Sequence, residues 1–251
     1  MNLDINILLL IPVGFLAGII NTIAGGGSLL TLPLLIFMGL PEAVANGTNR
    51  IAIFFQKASA VSGFKSKGVV TYPFSIYLGI SASIGSFIGA RYAVDIDGAL
   101  FKKILSIVMV IVVLLIVFKK NNKSLEKLTE RTTGKHLYIS IIAFFFVGLY
   151  GGFLNAGVGF IMLLLLPAIN KFSLVKSNAT KVTVAFIYTS IALLVFVLNG
   201  KVNWLFGLTL AIGNASGAWF ASRYSVKKGD GFIRVALLVI VIGMSVKLWF
   251  S

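Results

Sequence analysis

Long runs of apolar residues follow one another along the whole chain, and they constrain its fold more than any other feature. Most of them approach the roughly 20 residues that an α-helix needs to cross a bilayer. They cover residues 5–24, 28–40, 44–64, 73–93, 99–118, 137–157, 158–170, 175–198, 203–224 and 231–250. With 58% hydrophobic and 12% charged residues among 251, the chain has too little polar surface to cover a soluble core. The sequence therefore predicts an all-α polytopic membrane protein.

The N-terminus and the distribution of charge fit this prediction. The first apolar run follows residues 1–4, which contain no Lys or Arg, and no convincing cleavage site follows it, so we expect a retained membrane segment rather than a signal peptide. The formal net charge of +15 comes mostly from short loops, where cytoplasmic Lys and Arg are expected. The lipid bilayer is therefore an expected partner, and nucleic acid is not. The chain contains no cysteine, which excludes disulfides and thiolate metal sites.

The two halves of the chain resemble each other. A polar, basic linker at residues 119–136 separates an N-terminal membrane repeat (1–118) from a C-terminal membrane repeat (137–251). Matching residues occur in order at a shift of 134 and then of 132, and this series indicates an internal duplication into two repeats of about five helical segments each. The matches are Gly14, Asn21 and Pro33 with Gly148, Asn155 and Pro167, and Asn46, Thr48, Gly68 and Val70 with Asn178, Thr180, Gly200 and Val202.

Equivalent loops of the two halves differ in charge. The loop after the short second segment holds Glu42, whereas its counterpart after the seventh segment holds Lys171 and Lys176. Residues 94–97 include two aspartates, whereas residues 226–229 include two lysines. Because cytoplasmic loops collect Lys and Arg, equivalent loops are expected on opposite sides of the membrane, with the basic linker inside and both termini outside. This pattern predicts inverted-topology repeats, a common plan of secondary transporters.

Acidic residues are absent from the interior of every predicted span. All seven lie in or beside loops, and the single histidine, His136, lies in the linker. Intramembrane carboxylates are the usual proton relays, and clusters of acids, histidines or cysteines are needed for hydrolysis or metal binding. We therefore expect no carboxylate-based proton pump, no enzyme, no catalytic metal site and no cofactor.

Three basic residues lie inside predicted spans. Arg50 and Lys57 are seven residues apart and share one helical face, and Lys181 lies in the equivalent segment of the second half. A buried cation usually faces a cavity or a partner, and with no internal acid that partner can be an anionic ligand. The alternative is a shallow position from which the side chain snorkels to the interface. The shift of 132 pairs Asn49 with Lys181, and a one-residue adjustment pairs Arg50 with it, so the register stays open.

Glycine-rich stretches interrupt two of the apolar segments. Residues 25–28 (GGGS) and 155–159 (NAGVG) each precede a short apolar segment. A helix that begins at such a break directs unpaired N–H groups and the positive end of its dipole toward the break, which suits an anion, and Ser28 would cap the first of these helices. Close helix packing at the glycines is the alternative. Two membrane crossings and one re-entrant hairpin are both compatible with each break.

A separate stripe of small residues predicts close helix contacts. Ser81, Gly85 and Gly89 are spaced four residues apart, as are Gly213 and Gly217 in the second half. This spacing allows the backbones of membrane helices to approach each other.

The candidate site is expected at the midplane between the two repeats. Its members are polar residues or glycines of the breaks and of the basic segments. The broken-helix contacts would come from Asn21, Gly25, Gly26, Gly27, Ser28, Asn155, Gly157 and Gly159, and the same cavity would be lined by Thr48, Asn49, Arg50, Lys57, Thr180 and Lys181.

Two motifs resemble a known family. AGGGSLLTLPLL (24–35) followed by GLPEAVANGTNR (39–50) is similar to the TauE/SafE family of sulfite and organosulfonate exporters and permeases, and residues 177–224 resemble its C-terminal repeat. The resemblance covers about residues 8–248, although Thr22, Ile23 and Ala24 stand where the common family form has a further glycine. It implies a transporter of sulfur-containing anions in the bacterial cytoplasmic membrane.

The leading hypothesis is a secondary transporter that moves a small anion, such as sulfite or a sulfonate, by alternating access. An anion channel and a non-transporting membrane scaffold are the alternatives. Besides the anion and the bilayer, a second copy of the chain is a partner that the sequence leaves open, as it does the substrate, the direction of transport and the coupling ion.

Overall fold

The computed structural model of the chain describes residues 7–118 and 129–224, and all regular structure within these ranges is helical. The prediction of an all-α protein is therefore confirmed for the described residues. The predicted segment at 231–250 and most of the predicted linker, residues 119–128, lie outside them. The nine described helices are α1 (Leu10–Ile23), α2 (Ser28–Phe37), α3 (Glu42–Lys65), α4 (Phe74–Val94), α5 (Gly98–Phe118), α6 (Gly134–Phe153), α7 (Val158–Asn170), α8 (Leu174–Leu198) and α9 (Trp204–Tyr224).

Both helix breaks lie where the glycines predict them. Between α1 and α2 the chain turns through Gly25, whose φ of 92° is readily adopted only by glycine. Between α6 and α7 the turn uses Asn155 (φ 57°) and Gly157 (φ 72°), and asparagine is one of the few side chains that tolerate this left-handed conformation. The prediction that Ser28 caps α2 is wrong: Gly27 holds the N-cap position, and Ser28 is the first residue of the helix.

Each short helix folds back along the helix that precedes it. Gly27, at the start of α2, packs against α1 so closely that an added Cβ would overlap the Ala17 carbonyl oxygen. At the far end of α7, Asn170 Nδ2 donates to Ser140 Oγ in α6 (3.0 Å) and to the Arg131 carbonyl just before α6 (2.8 Å). With 10 and 13 residues, α2 and α7 extend about 15 and 20 Å, short of the roughly 30 Å of a bilayer core. The pairs α1–α2 and α6–α7 are therefore hairpins.

The two long helices α3 and α8 run antiparallel through the centre of the bundle. Gly47, near the start of α3, lies against the Lys201 carbonyl just beyond the end of α8. Phe64, near the end of α3, shares a buried apolar cluster with Ala179, near the start of α8. Because α2 leads into α3 and α7 leads into α8, the two hairpins enter the bundle from opposite ends.

Two further helices pack around this centre. α4 packs against α6 and α8, and α9 packs against α1 and α3. The predicted close approach at small residues is confirmed, since a Cβ on any of the four glycines would overlap a backbone atom of the neighbouring helix. Gly85 and Gly89 lie against Phe145 and Leu149 of α6, and Gly213 and Gly217 lie against Ile11 and Phe15 of α1.

The outward faces of the helices are apolar. Large hydrophobic side chains are exposed along α4 and α9, far more densely than a soluble monomer presents them, as expected for a surface in contact with lipid. Examples are Ile76, Ile80, Ile84 and Phe87 of α4, and Leu205, Leu208, Ile212 and Phe220 of α9. By length and composition, α6 and α8 are the two described helices apolar enough to cross a membrane on that criterion alone. These features are consistent with a membrane protein.

Candidate functional site

The tips of the two hairpins meet inside the bundle. Gly25 lies directly against Gly159, and a Cβ on either residue would overlap the other's backbone. Ser28 Oγ donates a hydrogen bond to the Asn155 carbonyl oxygen across the contact, at 2.8 Å. A small cavity lies beside this contact, with room for about one water molecule. Twelve residues line it: Asn21, Gly25, Ser28, Ile53, Lys57, Asn155, Val158, Gly159, Met162, Lys181, Ala185 and Tyr188.

Seven of the fourteen residues predicted for the site line this cavity: Asn21, Gly25, Ser28, Lys57, Asn155, Gly159 and Lys181. They come from both breaks and from both long helices, so the structure brings the two halves of the predicted site together. The other five lining residues are Ile53, Val158, Met162, Ala185 and Tyr188, and all of them except Tyr188 are apolar.

The starts of α2 and α7 lie beside this cavity with backbone N–H groups that have no helical acceptor. The first backbone hydrogen bond of α2 is donated by Leu29 to Gly26, and that of α7 by Phe160 to Gly157. The N–H groups of Ser28 and Gly159 precede these bonds and have no partner within their own helices. Both residues line the cavity, so two helix N-termini present donors and positive dipole ends to it.

Lys57 also lines the cavity, and its ammonium group has no protein partner among the described residues. Its side chain is 4% exposed, and it forms no hydrogen bond or ion pair within the part of the chain that the structure describes. A buried ammonium group without a counter-charge is costly, and an anion in the cavity would supply one. Asn155 adds a second donor, because its Nδ2 is buried and has no hydrogen-bond partner among the described residues.

Arg50 has a different environment from the one that the sequence predicts. It does not line the cavity; its guanidinium donates to the carbonyl oxygens of Gly151 (3.0 Å) and Gly152, and to Asn46 Oδ1 (3.3 Å). Gly151 and Gly152 lie in the last turn of α6, the negative end of that helix dipole. The side chain is fully buried, so the alternative of an interfacial, snorkelling arginine is excluded as well.

Lys181 occupies the corresponding environment at the other hairpin. Its Nζ donates to the carbonyl oxygens of Asn21 (3.1 Å) and Thr22 (2.9 Å) at the end of α1, and to Asn178 Oδ1 (2.6 Å). Arg50 and Lys181 therefore have equivalent roles in the two halves. Each donates hydrogen bonds to the carbonyl oxygens that end the first helix of the other half's hairpin. Asn46/Asn178 and Gln56/Tyr188 keep the shift of 132 on either side, so the two cations reach these equivalent environments from positions one residue apart in the register.

The other predicted residues lie near the site but do not line the cavity. Thr48 Oγ1 accepts from the Asn203 backbone N–H (2.8 Å), Asn49 Oδ1 accepts from Thr31 Oγ1 (2.7 Å), and Thr180 Oγ1 donates to the Lys176 carbonyl (2.9 Å). Their polar atoms thus serve helix and loop contacts. Gly26, Gly27 and Gly157 shape the two turns, and an added Cβ on Gly27 or Gly157 would overlap a neighbouring side chain or backbone atom.

Sequence reasoning missed two polar residues that hold the site asparagines. Asn21 Nδ2 donates to Gln56 Oε1, and Tyr188 Oη donates to Asn155 Oδ1, both at 2.9 Å. Gln56 and Tyr188 differ by 132, the shift that aligns the two long helices, and both are buried. The signal was available, since a polar residue inside each basic segment at the same repeat position is unusual in a membrane span.

The described residues contain no group of three or more His, Cys, Asp or Glu side chains that could hold a metal ion. The cavity lining also contains no carboxylate. The site therefore combines two lysines, an amide donor and two helix N-termini, an arrangement whose electrostatics favour an anion.

Comparison with known proteins agrees with the resemblance in the motifs. The family model described as "Sulfite exporter TauE/SafE" matches residues 10–248, nearly the whole chain. The chain belongs to the TauE/SafE family. The match includes both hairpins and both long helices, so the elements that form the cavity are family elements.

Curated relatives point to transport rather than catalysis. A protein of Haemophilus influenzae named "Probable membrane transporter protein" is 30% identical over 99% of this chain and 96% of its own length. "Probable membrane transporter protein YfcA" of Escherichia coli strain K12 is 30% identical over 95% of this chain and 88% of its own. "Probable membrane transporter protein ORF9" of a Sinorhizobium species is 27% identical over 93% and 88%. No solved structure matches the chain. This TauE/SafE member is thus a membrane transporter by family and by relatives.

Proposed function

We propose that this TauE/SafE protein is a secondary transporter that carries a small anion, a sulfur oxyanion or a sulfonate, by alternating access. The observation that carries the proposal is the cavity at the hairpin tips, where buried Lys57 has no protein counter-charge and the donors of both hairpins meet. The description of the family supplies the substrate class, sulfite. The lysines and the absence of carboxylates in the cavity lining support a negatively charged substrate.

Inverted repeats are part of this proposal. It is supported by the antiparallel long helices, by the hairpins that enter from opposite ends, and by the crossed roles of Arg50 and Lys181. In such transporters the binding site lies at the midplane between repeats, on discontinuous helices whose N-termini face an anionic substrate. The cavity has this position, between the tips of two hairpins.

We further propose that the protein lies in the bacterial cytoplasmic membrane as a multi-pass protein, with the more basic end of the bundle inside the cell. Within the described residues this end carries seven basic and one acidic side chain, whereas the opposite end carries four basic and three acidic ones. The positive-inside rule assigns the first end to the cytoplasm. The basic end has Lys65, Lys67, Arg131, Lys135, Lys171, Lys176 and Arg223 with Glu130, and the other has Arg91, Lys102, Lys103 and Lys201 with Glu42, Asp95 and Asp97.

The size of the cavity favours a carrier over a permanently open channel. The cavity holds about one water molecule, so a sulfur oxyanion needs the hairpin tips to separate from their present contact. In our proposal, the tips move apart toward one side of the membrane at a time while Lys57 retains the anion. The apolar wall of Ile53, Met162 and Ala185 excludes water around it.

The proposal is tested with purified protein in proteoliposomes, by measuring sulfite uptake for the wild type and for Lys57→Met. Loss of the ammonium group removes a charge-assisted contact with the anion, so we expect uptake to fall at least about tenfold. Lys103→Met is the matched control, because Lys103 is exposed at the end of the bundle and is expected to leave uptake unchanged. Equal uptake by Lys57→Met and wild type would refute the assignment of the site.

Two further outcomes discriminate the alternatives. Saturable flux with counter-transport of unlabelled sulfite supports the carrier, whereas single-channel currents in planar bilayers identify an anion channel. If the protein shows neither flux nor a ligand-dependent thermal shift with sulfite, sulfate, thiosulfate or methanesulfonate, the transport proposal for these anions is wrong and a scaffold role gains support.

A further inference from the structure

The two site asparagines are held by partners of opposite hydrogen-bonding character. In the first half, Gln56 Oε1 accepts a hydrogen bond from the amide nitrogen of Asn21. In the second half, the hydroxyl of Tyr188 donates to the amide oxygen of Asn155. The pairs occupy equivalent repeat positions, since Asn155 follows Asn21 by 134 residues and Tyr188 follows Gln56 by 132. The sequence thus breaks the pseudo-symmetry at one pair of positions.

This difference determines which amide atoms each asparagine offers to the cavity. The Asn21 nitrogen is engaged by Gln56, which is fixed in turn because its own Nε2 donates to the Gly18 carbonyl oxygen (3.3 Å). The Asn155 oxygen is engaged by Tyr188, and this leaves the Asn155 Nδ2 group buried without a partner among the described residues. An amide nitrogen can only donate, so Asn155 presents donors where an anion would lie.

We infer that Tyr188 is a positioning residue that turns the Asn155 amide so that its nitrogen faces the bound anion, which makes the second hairpin the main donor side of the site. The inference rests on the proposed function and deepens it. Asn155 has a φ of 57°, so its backbone is held by the turn, and the side-chain amide can adjust only by rotation. Without the hydroxyl of Tyr188, the amide can rotate its oxygen toward the anion, which is repulsive.

Tyr188 is well placed to hold this orientation. Its side chain is 2% exposed, and its ring packs against Gly151 at the end of α6, where an added Cβ would lie 2.9 Å from Cε2. The ring is thereby fixed against the same hairpin that carries Asn155. Tyr188→Phe retains this packing and removes only the hydroxyl.

The experiment measures sulfite binding to the purified full-length protein by calorimetry, with methanesulfonate as a second probe. Tyr188→Phe is expected to weaken binding at least about tenfold, because the amide that rotates loses the hydrogen bond that Asn155 Nδ2 donates to the charged anion. Tyr150→Phe is the matched control, because Tyr150 Oη donates to the Ala156 carbonyl near the same turn but does not line the cavity. The control is expected to bind like the wild type.

A double-mutant cycle separates positioning from a direct or a structural role. If Tyr188 acts through Asn155, Tyr188→Phe has no further effect in the Asn155→Ala background. Additive losses, or equal binding by Tyr188→Phe and Tyr150→Phe, overturn the inference while leaving the transport proposal intact. If the wild type binds neither probe, the proposed function fails for these anions and the inference fails with it.

A second variant tests the inference independently, in case Tyr188→Phe does not fold. Asn155→Asp keeps the acceptor for the Tyr188 hydroxyl and replaces the donor with a carboxylate oxygen. It is expected to abolish binding of both probes. Binding by Asn155→Asp at the wild-type level would show that the nitrogen does not face the anion.

Discussion

Replacement of Arg50 by methionine tests whether this buried cation stabilises a hairpin or binds the transported anion. The structure gives the guanidinium four oxygen acceptors, the carbonyls of Gly151, Gly152 and Phe153 and the side chain of Asn46. Arg50→Met keeps much of the side-chain volume and removes every hydrogen bond to these acceptors. The Gly151 and Gly152 carbonyls lie in the last turn of α6 and have no helical partner, whereas the Phe153 carbonyl keeps a hydrogen bond from Asn46 Nδ2.

The expected loss of stability follows from these orphaned acceptors. Each buried carbonyl left without a donor costs about 1–3 kcal/mol, so two of them cost about 2–6 kcal/mol. Removing a desolvated cation offsets part of this, because burial of the charge is itself unfavourable. We therefore expect a net loss of about 2–4 kcal/mol, which for a domain of this length corresponds to a Tm lower by about 5–15 °C.

The assay is thermal unfolding of the purified protein in detergent, combined with sulfite binding to the folded fraction. Arg50→Lys is the control within the same position, since Lys181 shows that one ammonium group can bind two such carbonyls and an amide oxygen. It is expected to recover most of the lost stability. If Arg50→Met leaves the Tm unchanged and weakens sulfite binding as much as Lys57→Met does, Arg50 is a ligand of the anion and the assignment made here is wrong.

Two further predictions concern the hairpin tips and the orientation. Gly25→Ala is expected to reduce sulfite flux at least about tenfold, because its Cβ overlaps Gly159. Gly39→Ala is the control: Gly39 has the same φ of 92° but no atom near its Cβ, so the variant carries only the backbone strain of about 1 kcal/mol. Equal flux in the two variants would show that the tip contact is not needed. Because the chain contains no cysteine, an introduced single cysteine reports the orientation without background labelling. In intact cells a membrane-impermeant maleimide is expected to label Lys103→Cys, and to label Lys67→Cys only after the cells are permeabilised. The reverse labelling pattern would show that the topology is inverted.

Much of the architecture could be predicted because it depends on local sequence. The helices follow from the long apolar runs, and the two breaks follow from glycines that a membrane helix does not tolerate without a reason. The contacts of Gly85 and Gly213 follow from the spacing of small residues. The hairpins did not follow, because a short apolar segment is equally compatible with a crossing and with a return along the preceding helix. The contact between Gly25 and Gly159, where the tips of the two hairpins meet inside the bundle, decided between them.

The chain's own sequence predicted the kind of site, and the tertiary structure decided which residues line the cavity. Composition and the absence of internal acids indicated an anion and named three buried cations. Only Lys57 among them is left without a partner in the described residues, since Arg50 and Lys181 bind carbonyls that the other half of the chain provides. A sequence shows that a cation is buried, but its role depends on which oxygens lie within about 3 Å of it, and the carbonyl oxygens among them come from residues more than 100 positions away.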